Sequence, residues 1–217
     1  MSTILWTTSF LEGEDKSGSS RLARTVKFLD YYLNIQGELQ FDRILLLDNA
    51  SPDDLWKQLT DSFDFESIRF NLRLNHGGGD WYPYCWRGLY AMNHYIQTSR
   101  AKKLIYIDSD SFVLSRRMAD WINDANTGWQ SVWCKRYNFP EASIHIINED
   151  AFPLFLEFTK GDYMEHCGKK MELVLPFTHI NKELDCDRYG ETFDPVKPGI
   201  DFFSQAHVNT PLEFGKW

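Results

Sequence analysis

The feature that most constrains this chain is the stretch Lys103-Leu104-Ile105-Tyr106-Ile107-Asp108-Ser109-Asp110-Ser111-Phe112, an apolar run that ends in two carboxylates one residue apart. Its length and its β-branched and aromatic content are those of a buried parallel strand. A strand of that kind ends in two anionic side chains when something cationic sits beside them. Along an extended backbone Asp108 and Asp110 point the same way, so both reach one ion or one diphosphate. In open α/β sheets ligands bind outside the carboxyl ends of the strands, which is where the pair is expected. An isolated Asp-x-Asp is common by chance and fits an acidic helix-capping loop equally well. The surrounding chain decides.

That chain alternates strand and helix. Thr3 to Thr8 reads as a first strand, followed by a Gly/Ser-rich loop and by Ser20 as N-cap of a helix with Leu22, Val26, Leu29 and Leu33 at helical spacing. Arg43 to Leu47 is a second strand, ending in Asp48-Asn49-Ala50-Ser51-Pro52. There Ser51 is the expected cap, Pro52 the first helical residue, and Asp53 and Asp54 the acids of the first turn. A third strand lies within Ser67 to Leu74. Asn75-His76-Gly77-Gly78-Gly79-Asp80 then leads into a helix carrying Trp86, Leu89, Tyr90 and Ile96. Three glycines let the backbone approach a ligand and expose amide donors at a helix start, or simply make a tight turn. Neither a P-loop nor Gly-x-Gly-x-x-Gly is present. Lys103 to Ile107 is the fourth strand. The order β-α-β-α-β-α-β predicts a doubly wound half whose polar strand ends converge on one edge.

Beyond Phe112 the pattern changes. Ser115 is placed to cap a helix over Arg116 to Ala125, and Gln130 to Tyr137 and Ala142 to Asn148 read as strands. A helix starts at Glu149-Asp150 with Phe152, Phe155, Leu156 and Phe158 inward. Asp162 to Lys182 reads as mostly helical, interrupted by Pro176. Asp185 to Gly199 reads as loop, and Ile200 to His207 as a last strand. The halves, 1–113 and 114–217, meet without a linker and are expected to share one sheet.

Composition narrows the function classes. The 217 residues suit one large domain. The net charge of −8, from 23 basic and 31 acidic side chains, repels nucleic acid and anionic lipid. A phosphorylated substrate would need a divalent cation between its phosphates and these carboxylates. Cys85, Cys134, Cys167 and Cys186 show no zinc-type spacing and read as reduced thiols. Without an apolar run of ~18 residues or a leader-like start, the sequence predicts no membrane span and a cytoplasmic location. Further domains C-terminal in a longer parent chain remain open. With 8 Trp, 10 Tyr and 16 Phe the chain is rich in rings, which serve cores and carbohydrate clefts alike. Trp129, Trp133, Tyr137 and Phe139 are the candidate stacking platforms, most of them expected in the core.

Asp108-Ser109-Asp110 after an apolar fourth strand resembles the Asp-x-Asp motif of GT-A-fold glycosyltransferases, which use nucleotide-sugar donors. Ile4 to Ser9 is similar to that family's first strand, with Thr8 and Ser9 placed to meet the base. Leu45-Leu46-Leu47-Asp48-Asn49-Ala50-Ser51 is similar to its second strand and base-contacting Asp, here Asp48. Asn75 to Gly79 and Trp86-Arg87-Gly88-Leu89 are similar to its donor-binding turn and helix, placing Gly78 and Asp80 at the donor and Arg87 at the diphosphate. The resemblance covers about the first 113 residues well and the rest loosely. It implies a GT-A-like α/β domain, with a central mostly parallel (mixed) sheet flanked by helices and a Rossmann-like N-terminal half. It also implies metal-dependent transfer of a hexose from a UDP-sugar to a carbohydrate or glycoprotein acceptor, with Mn²⁺ or Mg²⁺ neutralising the leaving diphosphate.

On that resemblance Asp110 is the metal ligand, while Asp108 meets the ribose or binds the metal through water. Ser109 stands at the donor between them, and His207 is a late third ligand. The acceptor-side base of the family corresponds best to Glu172 in Met171-Glu172-Leu173-Val174-Leu175-Pro176. The family's usual Glu-Asp pair is missing there, so Asp162, Glu165 and Asp185 stay open, as does the choice between inversion and retention. Two other readings compete. Ile105 to Val113 also resembles the haloacid-dehalogenase phosphatase motif, with Asp108 as nucleophile and Asp110 as acid/base, but that motif belongs on a first strand. The other is a catalytically idle, sugar-binding GT-A domain of a larger protein.

Overall fold

The computed structural model describes residues 2–12, 20–75, 82–188, 198–206 and 209–215. Ser2–Ser9 (β1), Arg43–Asp48 (β2), Glu66–Arg69 (β3) and Ala101–Ile107 (β4) lie parallel, in the order β3-β2-β1-β4. The first, second and fourth are covered on both faces, which is why they read as near-continuous apolar runs. Helices α1 (Arg21–Asn34) and α2 (Asp53–Thr60) pack on one face, and α3 (Pro83–Thr98) packs on the other. Successive strand residues feed different cores. Leu5, Leu46 and Ile105 meet Phe28, Leu29 and Leu59 on one side; Ile4, Trp6 and Tyr106 meet Trp86, Leu89 and Met92 on the other.

Ser20 caps α1, accepting from Ala23 N at 3.2 Å. At α2 the cap differs from expectation. Pro52 holds the cap position, and the Ser51 hydroxyl is drawn away to the Asp48 carboxylate and to Leu11 N (2.7 Å).

The second half adds β5 (Phe112–Val113), α4 (Arg116–Asp124), β6 (Trp129–Cys134) and β7 (Phe139–Asn148), then a 3₁₀ turn over Glu149–Ala151 and α5 (Phe152–Phe158). A second 3₁₀ turn at Tyr163–His166 precedes α6 (Met171–Val174), β8 (His179–Asp187) and β9 (Phe202–Phe203). Because β7 runs antiparallel to β4, one mixed nine-stranded sheet results, ordered β3-β2-β1-β4-β7-β6-β8-β9-β5. Ser115 caps α4 through Met118 N at 3.1 Å.

The largest departure from the sequence reading is the segment 162–182. Only the four residues of α6 are α-helical there, and β8 begins at His179. Pro176 bars a longer helix. The following backbone finds its partners on β6, with His179 opposite Gln130 and Cys186 opposite Cys134. So Asp185 to Asp187, expected as loop, belong to β8, residues 189–197 lie outside the described residues, and among the described residues of the last expected strand only Phe202 and Phe203 are strand.

Strand β1 lies between β2 and β4, so the chain leaves its carboxyl end toward both sides and opens a crevice there. Trp6 pairs with Tyr106, and two residues on Thr8 and Asp108 line that crevice together. Helix α3 presses close beneath it. A Cβ on Gly88 would stand 2.4 Å from Thr8 Cγ2, so only glycine admits this approach. No helix among the described residues is long and apolar enough to cross a membrane.

Candidate functional site

Strand β4 stops at Ile107 and the chain turns at once. Ser111 N donates to Asp108 O (2.9 Å), and Asp108 N donates to Ser143 O on β7 (2.9 Å). Asp108 and Asp110 therefore border one cleft because of a turn, which corrects the expectation from strand alternation. Tyr106 donates its hydroxyl proton to the Asp108 carboxylate, and Ala206 N donates to Asp110 O at 2.8 Å. Burial, and then the Asp110 charge, push the Asp108 carboxyl above the ordinary carboxylate range. Burial also raises Asp110, while the Arg24 guanidinium pulls it back. The Asp110 side chain keeps 28% of its surface accessible and lines the cleft.

Two crowded carboxylates that resist ionising together are a donor set suited to a hard divalent cation. Mg²⁺-like ions are held by one or two carboxylates and complete their shell with water and substrate phosphates. Among the described residues no group of three or more His, Cys, Asp or Glu is arranged to cage a metal. His207 lies outside the described residues. Asp108 and Asp110 are thus the described carboxylates that could hold such a cation.

The pair forms the shared wall of two cavities. The first, of about 190 Å³, is lined by Thr8, Ser9, Arg21, Arg24 and Ser109. The second, of about 420 Å³, is lined by Tyr137, Phe139, Ser143, Glu172 and Arg188. Tyr84 and Cys85, on and beside the first turn of α3, border both, and burial followed by the Asp108 charge raises the Cys85 thiol well above its usual range. A third cavity, about 490 Å³, continues from Phe10 over the ends of β2 and β3 at Ala50, Arg69 and Arg73.

Of the residues singled out from sequence, Thr8, Ser9, Asp108, Ser109, Asp110 and Glu172 border this cleft. Asp48 does not. Its fully buried carboxylate accepts from Ser51 N (3.2 and 3.1 Å) and Arg69 Nε (3.0 Å), holding the end of β2 in shape. Arg87 donates to Leu72 O (2.7 Å) and to Asn49 Oδ1 and lies over the Phe70 ring at 4.0 Å, so it ties strand ends together outside the three cavities. Gly78 and Asp80 lie outside the described residues. Asp162 caps the second 3₁₀ turn through Met164 N (2.9 Å), Glu165 is exposed, and Asp185 faces Lys135 at 3.6 Å. Trp129 is core and Trp133 sits under Lys182. Tyr137 and Phe139 stack at 5.6 Å with planes 10° apart, and Tyr137 is 40% exposed.

Sequence reasoning missed an ion network in the second cavity. Arg188 donates from Nε and Nη2 to the two Glu141 oxygens, 3.0 Å each, and also to Glu172. Burial alone would lower the Arg188 pKa, but Glu141 and Glu172 together raise it. Glu141 also accepts from Ser143 N at 3.0 Å, and the buried Ser143 hydroxyl has no partner among the described residues. No local signal announces this network, whose members are far apart in the chain. Arg21 and Arg24 were missed too, although a signal existed: two cations in and beside the first turn of a helix oppose its dipole.

No family model matches the chain, and no curated protein matches it by sequence. Solved structures match it by shape. The galactosyltransferase LgtC, in complex with donor and acceptor sugar analogs, aligns over 93% of this chain and 86% of its own at 11% identity, with a TM-score of 0.50. The apo-form glycosyltransferase GlyE of Streptococcus pneumoniae TIGR4 aligns over 94% of this chain and 55% of its own at 11% identity, with a TM-score of 0.51. A glycosyltransferase involved in glycosylation of the PBCV-1 major capsid covers 94% and 93% at 9% identity, with a TM-score of 0.48, and no argument rests on it. At such identities the likeness shows the fold, which is that of the GT-A glycosyltransferases.

Proposed function

We propose that the protein is a glycosyltransferase of the nucleotide-sugar-dependent kind, with its donor in the half 1–113 and its acceptor in the half 114–217. The observation that carries this reading is the Asp108/Asp110 turn standing as the wall between two unlike cavities. One is lined by arginines and hydroxyls, the other by stacked rings and an acid. The first suits a diphosphate and the second a sugar, whose C–H face packs on aromatic rings.

In the transfer, the bond from the anomeric carbon to the β-phosphate oxygen breaks with its electron pair left on that oxygen. The acceptor oxygen bonds to the carbon and gives up its proton. A divalent cation held by Asp110, with Asp108 beside it, would supply Lewis-acid neutralisation of the departing diphosphate. Thr8, Ser9 and Ser109 orient the donor, whose base extends past Phe10 toward the third cavity. Glu172 faces the acceptor side and takes the hydroxyl proton, while Arg188, anchored by Glu141, fixes the direction of that carboxylate. UDP and Mn²⁺ are our first choices of nucleotide and metal. The phosphatase reading is not favoured: the Asp pair ends the fourth strand of a GT-A fold rather than a first strand.

A panel of nucleotide sugars, with and without Mn²⁺, tests this by thermal shift and by release of free nucleotide. Stabilisation by one of them only when metal is present supports the reading. Indifference to every nucleotide, with turnover of small phosphoesters, overturns it.

A further inference from the structure

The Asp pair has a cationic neighbour that belongs to no strand end. Arg24, on the first turns of α1, brings its Nη1 to 3.9 Å from Asp110 Oδ2. That distance is too long for a hydrogen bond, and among the described residues the Arg24 guanidinium makes none. Its donors are therefore unspent, although the side chain is half-buried. Arg21, one helical turn earlier on the same face, lines the same cavity as Arg24, Thr8, Ser9 and Ser109. Among the described residues it meets Glu12 at 3.5 Å and lies over the Phe10 ring at 5.9 Å, both partly exposed contacts that leave donors for a ligand. Both arginines sit where the helix dipole favours acids, and α1 has no acid in its first turn. The partly exposed pairs with Glu12 and Asp110 contribute little to folding, and a residue pattern that breaks a local rule for a small structural return points to a functional position.

We infer that Arg24, assisted by Arg21, clamps the diphosphate of the donor nucleotide opposite the metal-binding carboxylates. This rests on the donor reading proposed above and deepens it. A departing nucleoside diphosphate carries more negative charge than one divalent cation offsets, and guanidinium forks match phosphate oxygens in pairs. Asp110 then holds the metal from one side while Arg24 meets the β-phosphate from the other. Arg87, the candidate for this role from the sequence, donates from its two Nη atoms to Leu72 O and Asn49, lies over the Phe70 ring and lines none of the three cavities, while its buried Nε has no partner among the described residues.

The test compares UDP with UMP (GDP with GMP, if the panel selects guanosine) by calorimetric titration in Mn²⁺. It uses the wild-type chain, Arg24→Gln and Arg87→Gln. Arg24→Gln is expected to weaken UDP binding by about tenfold or more, the loss of a charge-assisted bond, while UMP changes by less than about threefold. UMP binding also reports that the variant is folded. Should Arg24→Gln not fold, Arg24→Lys takes its place: a loss confined to UDP supports the assignment, and unchanged UDP affinity overturns it. Equal losses for UDP and UMP in a folded Arg24→Gln, or a larger UDP-specific loss in Arg87→Gln, also overturn it. If the wild type binds no nucleoside diphosphate at all, the donor reading itself falls. If the wild type binds UDP and Arg24→Gln binds it equally well, only the clamp falls.

Discussion

Replacing Glu141 by alanine tests whether the second cavity is held together by its ion network. Glu141 is 1% exposed and accepts two bonds from Arg188 and one from Ser143 N, all at 3.0 Å. The truncation leaves the Ser143 amide without its acceptor and leaves Arg188 with Glu172 alone among these carboxylates. Breaking a buried ion pair from one side costs about 3–5 kcal/mol, because the remaining charge stays buried. Arg188 is 17% exposed along the cleft and keeps Glu172, which places the loss at the lower end, about 3 kcal/mol. For a domain of this size that corresponds to a fall in Tm of about 6–12 °C. Thermal denaturation followed by circular dichroism reads it directly. The triple variant Glu141→Ala/Arg188→Met/Glu172→Gln should recover much of the loss, since it removes Arg188 together with both of its carboxylate partners and strands none of the three. A drop below about 2 °C in the single variant would refute the reasoning, showing that Arg188 rehydrates freely and that the network contributes nothing.

Two further outcomes follow from the same geometry. Gly88→Ala puts a methyl 2.4 Å from the branched and stiff Thr8 side chain, so α3 must lift from β1. The expected cost is about 1–3 kcal/mol, read as a lower denaturation midpoint together with weaker nucleotide binding. For pH, Asp108 and Asp110 both have folded pKa values above the ordinary one of 3.8, so the folded state binds more protons than the unfolded state above that range. The stability this pair contributes is full below the unfolded pKa and is lost as pH rises. Metal-free wild type should therefore lose more Tm than Asp108→Asn between about pH 5 and about pH 8, and parallel curves would count against the shift.

Much of the first half was legible because its strands are buried on both faces and its helices begin at recognisable caps. Leu45 to Leu47 and Leu104 to Ile107 could hardly be anything but interior strand, and Ser20 and Ser115 cap where expected. The second half was less legible because its order is non-local. His179 to Asp187 is polar and becomes a strand only because β6 offers it hydrogen-bonding partners. Arg188 meets Glu141 across 47 positions of sequence, and no local pattern encodes that meeting. The Asp pair was legible as a site, but its geometry was not: a turn, rather than strand alternation, turns both carboxylates to the cleft. Asp48 and Arg87 each lie close to a strand end and make hydrogen bonds that shape it, Asp48 with Arg69 and Arg87 with Leu72 O, which no local pattern announces.

The central claim is that Asp108 and Asp110 bind a divalent cation together with a nucleoside diphosphate. Calorimetric titration of Mn²⁺ with and without saturating nucleoside diphosphate, for the wild type and Asp110→Asn, tests it most directly. The account predicts weak Mn²⁺ binding by the wild type alone and at least about tenfold tighter binding with the diphosphate, with the reciprocal gain for the nucleotide. Asp110→Asn should keep its fold and lose that coupling. Mn²⁺ binding that ignores the nucleotide, or coupling that survives in Asp110→Asn, would contradict the claim.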